Sequence, residues 1–203
     1  MRAFYLLALA VVGLCPTPVV YTQVQDMPLY VSVAGPTKSP IGWVEFCVRY
    51  TPECDTQPST PRDVTLTEKA QHELTVVNDW VNKSIQQVTD MEHWGVDEQW
   101  DYPSDGKGDC EDFALLKRKM LIRAGWPREA LLMTVVRDEN DDGHAVLTVK
   151  TTQGELILDS KRPEIVLWYQ TGYRFVKRQS QADQNVWVSL SGNAQTIAST
   201  RSH

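Results

Sequence analysis

Cysteine and histidine are scarce in this chain, four of each in 203 residues, and its 20 basic residues are outnumbered by 26 acids. That balance excludes nucleic acid as the natural partner and leaves no polybasic patch for a membrane surface, while it tolerates divalent cations. No internal repeat or coiled-coil heptad is present, and the length with 42 % hydrophobic residues suits one domain with a proper core. The longest apolar run, Ala3 to Leu14 behind Met1-Arg2, is too short to span a bilayer well. It reads as a secretory signal over residues 1–22, cut somewhere between Cys15 and Asp26, which predicts an exported protein without stable membrane insertion. No clean small-x-small cleavage site follows the run, and Leu14 before Cys15 is too bulky for a lipoprotein signal. Loss of the segment removes Arg2 and no acid, so the mature chain is one charge more negative than the formal −6 of the whole.

The few cysteines divide sharply. Cys15 leaves with the signal, while Cys47 and Cys54 sit seven apart in a Pro- and Thr-rich stretch, a spacing that suits a small disulfide in an oxidising compartment. Cys110 is left as a free thiol, which an exported protein keeps only if it is buried or used. It stands in Gly108-Asp109-Cys110-Glu111-Asp112-Phe113, with Asp109 as the expected N-cap of a helix over Cys110 to Ala124 and Gly125 and Pro127 ending it. Unpaired N–H groups and the positive end of the dipole at a helix start favour a thiolate and offer donors to an oxyanion. Taken alone, such a cysteine is more often a buried one, so its surroundings must decide.

Residues 23–64 carry Pro28, Pro36, Pro40, Pro52, Pro58 and Pro61 and read as a loop-rich N-terminal segment with little chemistry. The domain proper is expected over 65–190. It opens on Thr65-Leu66-Thr67-Glu68, with capping-box spacing, and a core helix whose apolar positions run from Leu66 to Val88. A Trp-rich connection, His93 to Pro103, then leads to the cysteine helix. After Pro127 the period changes to short β-rich runs at Leu131–Val136, His144–Lys150, Glu155–Asp159, Ile165–Tyr169, Tyr173–Arg178 and Asn185–Leu190, followed by a polar tail over 191–203. Helices followed by antiparallel strands predict an α+β fold.

A thiol nucleophile needs a base, and the base needs a group to hold its tautomer. His144 opens one predicted strand and Asp159 closes the next. If Thr151 and Thr152 centre the turn, residue 144 faces residue 159 directly. A loop centred one residue later shifts the pairing by two and leaves a diagonal contact still within reach. His72 lies on the exposed side of the long helix, His203 is in the tail, and His93 lacks a comparable setting.

Together with Trp100 and Pro103, the run Gly108 to Arg118, Gly143-His144-Ala145-Val146-Leu147, Leu158-Asp159, Gly172-Tyr173 and Trp187, these residues resemble the bacterial transglutaminase-like cysteine proteinases, the LapG-type periplasmic proteases. The resemblance implies a papain-like, transglutaminase-related fold with helices on an antiparallel sheet, Cys110 as nucleophile, His144 as base and Asp159 as orienting acid. It further implies calcium-dependent cleavage of a large surface adhesin, with control of biofilm attachment, and an inner-membrane receptor that senses a cyclic dinucleotide and sequesters the protease. Asp109, Glu111 and Asp112 around the thiol oppose the helix dipole and raise its pKa, a penalty that Ca²⁺ on oxygen ligands would cancel. Three acids also simply suit a helix start; the resemblance assigns Asp109 and Glu111 as ligands. One oxyanion donor is the Cys110 N–H. The second stays open between the Trp100 indole and an unassigned group, since papain-like enzymes place a glutamine where Ser104 stands. Two rival functions remain on the same scaffold: acyl transfer to an amine, as in a true transglutaminase, and a non-catalytic binding module, against which an intact Cys, His and Asp set argues.

Overall fold

The computed structural model describes residues 27–55 and 57–193; the expected signal segment and most of the polar tail lie outside them. In chain order the elements are β1 (Ser32–Thr37), α1 (Ile41–Arg49), α2 (Thr51–Cys54), α3 (Glu68–Ser84), β2 (Gln86–Gln87), α4 (Asp90–His93), β3 (Lys107–Gly108), α5 (Cys110–Arg123), β4 (Leu131–Arg137), β5 (Gly143–Thr151), β6 (Gly154–Leu158), β7 (Val166–Leu167), β8 (Arg174–Gln179) and β9 (Trp187–Asn193). Seven strands form one sheet in the order β1-β9-β8-β4-β5-β6-β7, every pair antiparallel. This is the expected α+β arrangement.

Strand alternation splits the core between the two faces of the sheet. Leu131, Met133, Leu147 and Val149 pack with Leu74 and Val77 of α3 and Leu115 and Leu121 of α5. Val136, Val146 and Ile157 pack on the opposite face with Trp168, Tyr173 and Phe175. Helix α5 lies on β4 and β5, and α3 lies against α5. The cysteine helix is thereby pressed onto the middle of the sheet.

The loop-rich reading of residues 23–64 is corrected. That stretch supplies edge strand β1 and helices α1 and α2, and Trp43 and Phe46 of α1 are core residues. Pro40 occupies the N-cap of α1 and Pro52 the first turn of α2, where a proline starts a helix instead of breaking it. The Cys47–Cys54 disulfide joins these two helices with Cα atoms 5.5 Å apart. The expected capping box at Thr65 is also corrected, since Thr67 is the cap and accepts from the Ala70 N–H at 3.2 Å. Helix α3 stops at Ser84, before Ile85 and Val88, because the next residues form β2 and pair in parallel with β3. The Gln86 and Val88 N–H groups donate to the Gly106 and Gly108 carbonyls, which fixes the approach to Cys110. Strand β9 runs three residues into the expected tail.

Candidate active site

Cys110 is the first residue of α5 and is half-buried. Asp109 has the N-cap position but its side chain makes no capping bond, so that part of the expectation fails; the carboxylate turns toward other acids instead. Gly108 is required just ahead, because a Cβ there would lie 2.5 Å from Asp112 Oδ2. The sulfur sits between two partners. It accepts from the Ala145 N–H at 3.3 Å, and its S–H donates to Glu111 Oε2 at 3.2 Å.

Leu147 pairs with Leu158 and Thr151 with Gly154, which is the later of the two registers anticipated for the hairpin. Asp159 therefore reaches His144 diagonally, and His144 Nε2–H donates to Asp159 Oδ1 at 2.8 Å. Both residues are buried. Asp159 Oδ2 accepts from the Tyr173 hydroxyl at 2.6 Å and Oδ1 also accepts from the Lys161 N–H at 2.9 Å, with Arg162 Nε 3.4 Å from Oδ2. Burial alone would raise this carboxyl, but the His144 bond and charge, then Tyr173 and the Lys161 N–H, hold it below its ordinary value. With the Nε2 proton committed to the carboxylate, Nδ1 is the free acceptor of the ring, and it is buried with no partner. Cys110 and His144 line one cavity with Pro40, Glu98, Trp100 and Lys177. Of the other histidines, His93 is engaged with Asp105 at 2.9 Å and His72 is exposed.

Around the sulfur the electrostatics run the other way. Oxygens of Asp90, Asp109 and Asp112 lie within 4.8 Å of one another, and so do those of Asp90, Glu98 and Glu111. The two expected ligands, Asp109 and Glu111, thus fall in adjoining sets that share Asp90. Burial first, then the neighbouring acids, push Glu111 well above the usual carboxylate range, Asp112 to about 8 and Asp90 to about 6. Burial, Glu111 and Asp109 likewise push the Cys110 thiol well up. Asp109 Oδ1 and Glu111 Oε1 are buried without a hydrogen-bond partner. Converging carboxylates with unpartnered oxygens suit a hard divalent cation. Asp90 and Glu98 escaped the sequence reading, although the Thr89–Glu92 capping box that opens α4 on Asp90 is a legible signal. The Trp100 indole does not present a free oxyanion donor, because its N–H donates to Glu98 Oε1 at 2.5 Å.

A thiol at a helix start, sharing a cavity with an imidazole held by a buried carboxylate on an antiparallel sheet, is the arrangement of a cysteine peptidase of transglutaminase-like architecture. The chain belongs to the bacterial transglutaminase-like cysteine proteinase family, whose sequence pattern matches residues 33–195. Its fold is similar to that of Legionella pneumophila LapG in a calcium-bound form, at 24 % identity over 66 % of this chain and 80 % of the other, with a TM-score of 0.52. An EGTA-treated form of the same Legionella protein gives 26 % identity, 63 % and 74 % coverage and a TM-score of 0.51. No curated protein matches the chain.

Proposed function

We propose that the protein is a calcium-dependent periplasmic endopeptidase in which Cys110, His144 and Asp159 form the catalytic triad. The observation that carries this reading is the Nε2–H bond from His144 to Asp159, which leaves a buried, unpartnered Nδ1 in the cavity that also holds Cys110. The Cys110 proton passes to Nδ1 as the sulfur attacks a substrate carbonyl carbon; Asp159 steadies the imidazolium. The imidazolium returns the proton to the leaving amine as the C–N bond breaks, giving a thioester. Water then attacks the thioester, with His144 taking its proton and returning it to the departing sulfur.

Asp109, Glu111 and Asp90 would hold Ca²⁺, whose charge would offset the carboxylates that keep the thiol protonated. The calcium-bound form of the Legionella relative supports the choice of ion. The family resemblance points to a large surface adhesin as substrate, cut to control biofilm attachment, and to an inner-membrane receptor as the sequestering partner. Periplasmic location rests on the apolar signal over residues 1–22. Among the described residues no helix is long and apolar enough to cross a membrane.

The test is thiol labelling of the full protein with calcium and with EGTA, followed by peptide mapping, beside a cleavage assay containing a primary amine. Cys110 should label and two free fragments should appear only with calcium, and Cys110→Ala should abolish both. Cleavage that survives in Cys110→Ala overturns the nucleophile, full activity in EGTA overturns the calcium role, and amine-linked product overturns hydrolysis as the main reaction.

A further inference from the structure

Two observations meet at Glu98. Its carboxylate contributes an oxygen to the set with Asp90 and Glu111, and it accepts the indole N–H of Trp100. The partners differ greatly in freedom. Trp100 is 2 % exposed and wedged against α1, so tightly that a Cβ on Gly42 would come within 2.3 Å of its Cδ1 and 2.6 Å of its Nε1. Its ring also meets Trp43 and Trp187 edge-on at 6.3 and 6.1 Å. Glu98 is exposed, in the connection between α4 and β3. Both residues line the cavity that holds Cys110 and His144. In the same carboxylate set, Glu111 is 4 % exposed and its Oε1 has no hydrogen-bond partner.

We infer that Glu98 is a positioning residue that joins the cation site to the wall of the cavity: its carboxylate binds the cation with Asp90 and Glu111 while holding the immobile Trp100 indole. Without a cation, Glu98 is repelled by two neighbouring acids and retained by a single hydrogen bond at its exposed position. With one, repulsion becomes shared ligation, and the loop bearing Glu98 is pinned between the ion and a fixed ring. The wall facing the thiol is then ordered by the same event that neutralises the charge around it. This inference rests on the calcium reading above, and its test separates the two.

In the Cys110→Ala protein, which removes the thiol as a variable, calcium binding is measured by calorimetry and the tryptophan indole N–H groups are followed by ¹⁵N-edited NMR. Calcium should bind and should shift one indole resonance and slow its exchange with water. Glu98→Ala should move that same resonance before calcium is added, which assigns it to Trp100, and should abolish its response. Glu98→Gln keeps an acceptor for the indole, so the calcium-free resonance should stay near the parent position while calcium affinity falls about tenfold or more. An unchanged Trp100 response in Glu98→Ala, or calcium binding with no indole response in the parent, overturns the coupling and leaves the calcium site standing. Absence of calcium binding in the parent overturns both.

Discussion

The imidazole half and the sulfur half of the site are built on opposite electrostatic plans. Around His144 the buried carboxylate is fully used: Asp159 accepts from His144, Lys161 and Tyr173 and lies 3.4 Å from Arg162, which together hold it in its ionised form. Around Cys110, acids face acids, two carboxylate oxygens have no partner, and the thiol, Glu111 and Asp112 are pushed toward their protonated forms. The imidazole half is completed by the chain's own donors. The sulfur half leaves buried carboxylate oxygens without donors, the pattern from which the proposed cation site is argued.

The strongest way to break this contrast is Asp159→Asn, which keeps the shape but lets the imidazole take the wrong tautomer. We expect kcat at saturating calcium to fall about 10³–10⁴-fold, the scale seen when a triad aspartate is made an amide elsewhere. A loss below about tenfold would mean that Asp159 is not the orienting group. Tyr173→Phe is gentler, removing one hydrogen-bond donor of three, and should lower stability by about 1.5–3 kcal/mol, as for a lost bond to a charged group. Its pH signature follows from the depressed carboxyl: stability gained from Asp159 is present above the unfolded value near 3.9 and is lost as pH falls through the lower folded value. With the hydroxyl gone the folded value rises, so acid unfolding should begin at higher pH, as circular dichroism against pH will report. An unshifted acid limb would show that Tyr173 does not hold the carboxylate.

The mildest effect on cleavage should come from Lys117→Met. Lys117 is fully buried in α5, its Nζ has no hydrogen-bond partner, and burial pulls its pKa to about 7 against a smaller opposing pull from Asp159. Between that value and the ordinary one near 10.4 the unfolded chain binds the extra proton, so stability should climb with pH across the window. Met should remove the slope and raise stability near neutral pH. Urea melts at several pH values check this, and an unchanged slope would place the titration elsewhere.

Local chemistry in the chain carried much of this structure. Cys110 could be placed because a helix start is marked by its residues, and His144 could be matched to Asp159 because both candidate registers brought the hairpin ends together. The strands after Pro127 followed the switch to β-rich runs, with β7 shrinking to two residues before a turn at Trp168–Gln170. What stayed hidden depended on partners far along the chain. Tyr173 meets Asp159 through the approach to β8, and Glu98 and Asp90 meet Glu111 only when the Trp-rich connection folds back on α5. Helix α1 was a different miss: prolines that begin helices were weighed as breakers, although Trp43, Phe46, Cys47 and Tyr50 already repeat at helical spacing.

Gly42 leaves no space for even one methyl group against Trp100, and Pro40, two residues earlier, forms part of the cavity wall. One part of the wall around the thiol and the imidazole is therefore carried by the start of an element that contains neither group.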